Sequence, residues 1–271
     1  MFHLPTHSTR KYEQAGACIY CGVCGALSDE HIIPFGLGGQ WIVPKASCVA
    51  CAKTTGAFEG TCQRTMLGAF RMYYSLPTRR PKERPAQLSL KVKLTTHSDW
   101  TMLDVDRDIY PFLVIFPLFD LPDHLSGVEP PGDRAASVKK LWVRAASFRD
   151  GLTSHVQNLA EELNVAAIEP TATIHAPEFF RMLAKIAHAF AVAELGAASF
   201  RPFLGAMICD GDTSEGLRFV GGLDAAEPAA PDLHELSLAA TPSGTIVVRI
   251  RLFACLETPT YLVAVGSNGA P

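Results

Sequence analysis

Four cysteines in two Cys-x-x-Cys pairs are the first residues of this chain whose types and spacing could do chemistry. The pairs are Cys18/Cys21 and Cys48/Cys51, and 26 residues lie between them. Two such pairs can surround one tetrahedral zinc ion with thiolate sulfurs. We therefore predict a structural zinc on these four residues, which stabilises a segment too small to depend on a hydrophobic core of its own.

Cys24 leaves other interpretations of the first pair open, because it repeats the Cys-x-x-Cys spacing. Such a run opens some iron–sulfur motifs, but Ser28 stands where the fourth cysteine would be expected and no Cys-Pro follows. A lone pair is also typical of thioredoxin-like redox sites, and here the matched second pair favours zinc. Cys24 stays an alternative to Cys21 as a ligand. The remaining cysteines are interpreted as buried, inert thiols: Cys62, Cys209 and Cys255.

An acidic-histidine run lies between the two pairs, where Asp29 and Glu30 precede His31. An imidazole titrates near neutral pH and can take a proton from water, and carboxylates can hold a hard cation against a phosphate. In a regular strand Glu30 and His31 point to opposite faces, so they share a site only if the backbone bends. Asp29 is then an alternative or outer ligand of the cation.

These residues must be positioned by a strand, a strand and a helix. The sequence predicts a short strand over 30–34, a glycine-rich turn, and a second strand over 41–43. A helix is expected from just after Cys51 to about Tyr74, before Pro77.

The two cysteine pairs, the run ending at His31 and the following helix resemble the zinc-stabilised HNH (ββα-metal) endonucleases, over roughly residues 16–75. The resemblance implies hydrolysis of phosphodiester bonds in nucleic acid, DNA rather than RNA. It also implies that His31 is the general base and that Glu30 holds a catalytic Mg²⁺ or Mn²⁺.

Ala52 is a departure from that family, which usually has an asparagine directly after the second cysteine pair. Alanine can neither coordinate a metal nor orient an imidazole. Positions 52, 55 and 59 share one helix face, so we expect Glu59 as the second ligand of the cation and Thr55 or Thr54 as a supporting hydroxyl.

The charge of the chain is divided unevenly, with a net +6 over residues 1–91 and −9 over residues 92–271. A basic lobe that holds the predicted site favours a nucleic-acid partner. Four arginines are expected on phosphates, as clamps from the helix or as contacts from a basic, proline-rich linker over 76–86. They are Arg64, Arg71, Arg79 and Arg80.

The predicted fold class is α+β, with a zinc-stabilised ββα lobe over 1–75 and a larger α+β domain over 87–271. That domain shows no phosphate-loop, dinucleotide or nucleophile-elbow motif. In it we expect strands at 87–94 and 112–119, helices at 152–163 and 177–195, a hairpin of strands 236–240 and 245–255, and a last strand at 261–265.

The longest apolar run, 109–119, contains two prolines and is too short to span a bilayer. We expect a cytoplasmic protein, without membrane contact, whose acidic part binds a protein partner or a second copy. Two alternatives to the nuclease stay open. One is a non-catalytic zinc module that binds nucleic acid, and the other is an interaction protein in which zinc only staples the N-terminus.

Overall fold

The computed structural model describes residues 3–96, 99–127, 138, 140–144, 151–170, 173–223 and 227–269. Within these ranges helices and strands are mixed in an α+β arrangement, which confirms the predicted fold class. No helix in the described part is both long and apolar enough to cross a membrane.

The N-terminal part follows the predicted order of strand, strand and helix. Its first elements are β1 (Arg10–Lys11), β2 (Leu27–His31), β3 (Trp41–Cys48) and α1 (Val49–Thr61). β2 and β3 pair in antiparallel fashion, and β1 adds to β3 in parallel. The strands differ from the prediction, since β2 begins and ends three residues earlier and β3 runs on to the second cysteine pair.

The backbone bends at the acidic-histidine run. The pairing of β2 with β3 shifts register between Ser28 and Glu30. Opposite this shift Lys45 adopts the left-handed conformation, with φ of 46°, and its N–H donates to Asp29 Oδ1 at 3.2 Å. The irregularity precedes Glu30, and Glu30 and His31 themselves pair in regular register with Val43 and Ile42.

The helix after β3 starts earlier than predicted and is not continuous. α1 begins at Val49, inside the second cysteine pair, because the Cys48 side chain caps it. A π-helical turn, Cys62–Met66, follows α1 and leads into α2 (Gly68–Tyr73). The single helix predicted from Cys51 to about Tyr74 is thus divided into three segments.

The rest of the chain forms small sheets around one long helix. The three sheets have the strand orders β5-β4-β8, β6-β7 and β10-β13-β12-β11, and β9 pairs with β13. The strands are β4 (Gln87–Leu94), β5 (Trp100–Asp106), β6 (Val114–Leu118), β7 (Lys140–Arg144), β8 (Val165–Glu169), β9 (Phe200–Pro202), β10 (Val220–Gly222), β11 (His234–Ala240), β12 (Thr245–Leu252) and β13 (Tyr261–Asn268). The helices are α3 (Asp123–Ser126), α4 (Gly151–Glu162), α5 (Ala176–Leu195), α6 (Gly205–Cys209) and α7 (Gly216–Phe219).

The sequence predicted the longer elements of this part well. β4 has the predicted bounds, and α4, α5 and the hairpin of β11 and β12 lie within a few residues of theirs. β5 and β8, which pair with β4 on its two sides, were not predicted.

α5 is the centre of the molecule. It is buried along most of its length and packs on α1, β12 and β13. One hydrophobic core therefore includes Ile32 and Phe58 from the N-terminal part and Phe179 and Val263 from the C-terminal part. The core is continuous across residues 76–86, where the sequence predicted a linker between domains.

Candidate functional site

The four predicted cysteine ligands converge. The sulfurs of Cys18, Cys21, Cys48 and Cys51 all lie within 4.8 Å of one another, and Cys21 Sγ is 3.7 Å from Cys48 Sγ. Tetrahedral zinc with bonds of about 2.3 Å places its sulfur ligands about 3.8 Å apart. The donor set and its spacing therefore fit a structural zinc ion.

Local geometry favours the thiolate of one residue of the second pair, Cys48, whereas burial raises the pKa of the Cys51 thiol. The Cys51 N–H donates to Cys48 Sγ at 3.5 Å, which lowers the pKa of the Cys48 thiol to about 7 and favours the thiolate that binds metal. Cys24 lies outside the cluster and its thiol faces the Gly22 carbonyl at 3.9 Å. The alternative in which Cys24 replaces Cys21 is therefore not the arrangement observed.

A pocket of about 310 Å³ lies between β2 and α1, next to the cysteine cluster. The register shift in β2 and the shared face of α1 bring the predicted catalytic residues to its wall. All four predicted residues line the pocket, namely Glu30, His31, Thr55 and Glu59. Ala52 lies between them on the pocket wall.

Lys185 reaches this group of residues from α5, and the sequence analysis did not identify it. Its Nζ lies 2.5 Å from Glu30 Oε1 and 2.8 Å from Glu59 Oε1, and its side chain is fully buried. It also donates to the backbone carbonyls of His31 and Ile32. The two carboxylates predicted to hold a cation thus hold an ammonium.

The Lys185 ammonium attracts both carboxylates, whereas Glu30 and Glu59 repel each other. Burial lowers the pKa of Lys185, but the carboxylates of Glu30 and Glu59 outweigh burial, so the pKa lies above its ordinary value and the amine stays protonated. Burial raises the pKa of Glu59, and Lys185 opposes that rise. Burial and the two carboxylates likewise raise the pKa of Tyr20.

A catalytic divalent cation does not fit between Glu30 and Glu59 in this arrangement. Mg²⁺ needs carboxylate oxygens at about 2.0–2.1 Å. A cation at that distance from both carboxylates would press against the positively charged Lys185 amine. Among the described residues only the four cysteines form a group of three or more side chains that could hold a metal ion.

His31 is available as a base. Its ring is half-buried beside Phe35, with 5.5 Å between the ring centroids. Burial lowers the pKa of the imidazole below its ordinary value, and the positive charges of Lys185 and Arg79 lower it further. The imidazole is therefore neutral near pH 7 and can accept a proton.

Thr55 is placed as predicted on the same helix face as Glu59, but its hydroxyl is used locally. The side chain is buried and Oγ1 donates to the Ala52 carbonyl at 3.4 Å. Ala52 itself offers no polar group. The Thr55 hydroxyl is therefore already engaged in a hydrogen bond within the helix.

Arg71, predicted to clamp a phosphate, holds the backbone together instead. Its guanidinium donates to the carbonyls of Gly36, Gln63 and Pro77 at 2.6, 3.0 and 3.3 Å. Burial lowers the pKa of Arg71 to about 10. We assign it a structural role, fixing the glycine-rich turn and the start of the linker on the helix.

The other predicted arginines are exposed and line two adjoining cavities. Arg79 is on the wall of the His31 pocket. Arg64, Arg80 and Arg84 line a neighbouring groove of about 540 Å³. Both cavities share Gln63, Arg71 and Thr78, so they adjoin. Carboxylates also line them, from Asp29, Glu30 and Glu59 in the pocket and from Glu83 in the groove.

Lys185, which was not predicted as a site residue, has one distinctive feature in the sequence. It is a lone lysine between Ala184 and Ile186 in a helix whose neighbouring residues are almost all apolar. A buried lysine is rare unless it is paired with acidic groups. The pattern alone did not reveal that Glu30 and Glu59 are its partners.

Comparisons of the chain with protein-family models, with curated proteins and with solved structures found no match. The assignment of function therefore depends on the geometry of the site.

Proposed function

We propose that this protein hydrolyses phosphodiester bonds of nucleic acid in the pocket between β2 and α1, with His31 as general base. One observation carries the proposal. A neutral, accessible histidine shares its pocket with an exposed arginine, Arg79, and this pocket opens onto a second groove lined by arginines. A base beside a track of positive charge suits a polyanionic substrate.

The backbone of the nucleic acid would lie along the adjoining cavities. Arg64 and Arg80 line the groove, where Arg80 also pairs with Glu83, and Arg84 beside them donates to the Leu76 carbonyl. Arg79 lines the adjoining pocket. Each phosphate that meets one of these side chains releases counterions, and an arginine can contact two phosphate oxygens at once. This path would bring one phosphate of the chain to His31.

The reaction requires little of the protein beyond positioning and charge. The oxygen of a water molecule forms a bond to phosphorus as its proton moves to the His31 imidazole. The bond between phosphorus and the leaving oxygen breaks, and that oxygen takes a proton from solvent. Arg79 stabilises the charge that develops on the phosphate.

Zinc on Cys18, Cys21, Cys48 and Cys51 would supply structure and no chemistry. Four thiolates close the coordination sphere, which leaves no position for water or substrate. Because Cys48 both ends β3 and caps α1, the ion would fix the angle between the strand that follows the turn and the helix that carries Glu59.

The proposal is tested by cleavage of plasmid DNA and structured RNA with Mg²⁺, with Mn²⁺ or with EDTA. Wild-type protein is compared with His31→Ala, and His3→Ala, which removes an exposed histidine elsewhere, serves as the matched control. Zinc content is verified in each protein. Cutting by the wild type and His3→Ala but not by His31→Ala is expected. Inactivity of all three on every substrate would overturn the proposal.

A second candidate is a zinc module that binds nucleic acid without cutting it. Two observations favour it, namely the alanine at position 52 and the ammonium of Lys185 between the two carboxylates. It predicts binding that weakens with salt, with no cleavage under any condition. Cleavage that depends on added Mg²⁺ or Mn²⁺ would instead support the metal-dependent nuclease that the resemblance implies.

A further inference from the structure

Lys185 occupies the position where a divalent cation was expected. Its amine lies within 2.8 Å of one carboxylate oxygen from β2 and one from α1, on Glu30 and Glu59. The same amine donates to the carbonyls of His31 and Ile32 at the end of β2. One cation thus links both elements of the pocket to α5.

The ion pairs of Lys185 are buried, unlike a salt bridge on the protein surface. A fully buried ammonium is expensive unless it is paired and hydrogen-bonded, and here four oxygens surround it. Removing such a charge would leave Glu30 and Glu59 as two carboxylates in one buried site. Two carboxylates in one buried site repel each other unless a cation or a proton lies between them.

We infer that the Lys185 amine is the resident cation of this pocket, so that the protein takes up no Mg²⁺ or Mn²⁺ there and acts on nucleic acid without one. Lys185 is a positioning residue. It pairs with both Glu30 and Glu59 and donates to the backbone carbonyl of His31, and as a buried group it does not contact substrate. The statement about nucleic acid rests on the proposed function, whereas the statement about metal does not.

Binding of Mn²⁺ to zinc-loaded protein, followed by electron paramagnetic resonance, tests the inference without any substrate. Wild-type protein is expected to bind no Mn²⁺ in the pocket. Lys185→Ala frees two carboxylates and opens a space, so it is expected to bind one Mn²⁺ at least about tenfold more tightly than wild type. Lys185→Ala/Glu59→Gln should lose that gain, because one of the two charged ligands is removed.

Wild-type protein that binds Mn²⁺, with the affinity lost in Glu59→Gln, would overturn the inference. A folded, zinc-loaded Lys185→Ala protein that gains no Mn²⁺ would overturn it as well, because the carboxylates would then not depend on the amine. Lys185→Met, which keeps the side chain up to the position of Cε and removes only the charged amine, provides a second measurement if Lys185→Ala does not fold. Mn²⁺ is expected to raise the melting temperature of Lys185→Met and not that of the wild type.

The two proposals fail in different ways. Absence of any binding or cleavage of nucleic acid would remove the proposed function and leave the Mn²⁺ result standing. Binding of Mn²⁺ by the wild type at Glu59 would remove the inference, and the nuclease would then return to a metal-dependent form. For nucleic-acid binding itself, the inference predicts the same affinity in EDTA and in Mn²⁺.

Discussion

Lys185 lies 154 residues from His31 in the sequence, yet its amine donates a hydrogen bond to the His31 backbone carbonyl. The strand that carries the proposed base is therefore held by α5, a helix far from it in the sequence. The pocket is lined by residues of the N-terminal part and the linker, and α5 supports two of its carboxylates through Lys185. This relationship connects the basic, zinc-binding part of the protein with its acidic remainder.

The first prediction concerns the metal ligands. Cys21→Ser is expected to abolish the binding of one zinc ion per chain and to destabilise the N-terminal part by several kcal/mol, because a four-thiolate site loses a ligand. Cys24→Ser is the matched control, since both cysteines are exposed and only Cys21 belongs to the cluster. Elemental analysis and thermal melting measure the two effects. Loss of zinc in Cys24→Ser with full zinc in Cys21→Ser would reverse the ligand assignment.

The second prediction separates the two arginines at the pocket. Arg79→Ala should leave stability unchanged and weaken nucleic-acid binding, and the slope of log K against log salt should fall by about one, as expected for one lost phosphate contact. Lys82→Ala removes a charge from the same linker but lines neither cavity. Equal effects of Arg79→Ala and Lys82→Ala would show that charge alone matters and that the pocket does not.

Arg71→Ala, unlike Arg79→Ala, is expected to lower stability, because the Arg71 guanidinium donates hydrogen bonds to three backbone carbonyls. Loss of these bonds should lower the free energy of unfolding by about 2–4 kcal/mol. Arg64→Ala, which removes an exposed arginine from the neighbouring groove, should change it by less than about 0.5 kcal/mol. Denaturant unfolding measures both. A stable Arg71→Ala protein with impaired binding would restore the phosphate clamp that the sequence predicted.

The third prediction concerns acid stability and His234. This buried imidazole accepts from the Phe253 N–H at Nδ1, at 3.1 Å, and donates from Nε2 to the Leu37 carbonyl, at 2.9 Å. Acceptance at Nδ1 requires the neutral ring. Burial lowers the pKa of His234 to about 3 from an ordinary value of 6.5, and His7 adds to the shift.

Because the pKa is lower in the folded state, the unfolded chain takes up the proton first, and stability falls as the pH drops below 6.5. Between pH 7 and pH 5 His234 alone should reduce the free energy of unfolding by about 2 kcal/mol. Burial also lowers the pKa of His188, which acts in the same direction. Urea unfolding at the two pH values measures the loss. His234→Gln keeps a donor and an acceptor, so its free energy of unfolding should fall less between pH 7 and pH 5. A fall as large as in the wild type would rule out His234 as the cause.

The sequence was most informative where the signal is local. The spacing of two cysteine pairs predicted the cluster of four sulfurs, and helical periodicity predicted that Thr55 and Glu59 would share a face with Ala52. The bend at Glu30 could be stated only as a condition. The register shift before Glu30 is accompanied by a left-handed residue in the facing strand, Lys45, and nothing in its side chain predicts that conformation.

The sequence was least informative where distant segments meet. Lys185 was visible as a lone charge in an apolar helix, but its partners depend on how α5 packs on α1, and no local pattern specifies that packing. Arg71 was expected on phosphate because it is a basic residue on the helix. Its actual partners, such as Gly36, become neighbours only after the turn and linker have folded back.

The most direct test of the central claim is the single-turnover rate of cleavage without added Mg²⁺ or Mn²⁺, for zinc-loaded wild-type protein and zinc-loaded His31→Gln, each at saturating enzyme. A general base contributes about 10²–10⁴-fold to such a rate. We predict cleavage by the wild type, a loss in that range for His31→Gln, and nucleic-acid affinity that is the same for both. Equal rates, or cleavage that begins only when a divalent cation is added, would contradict the account.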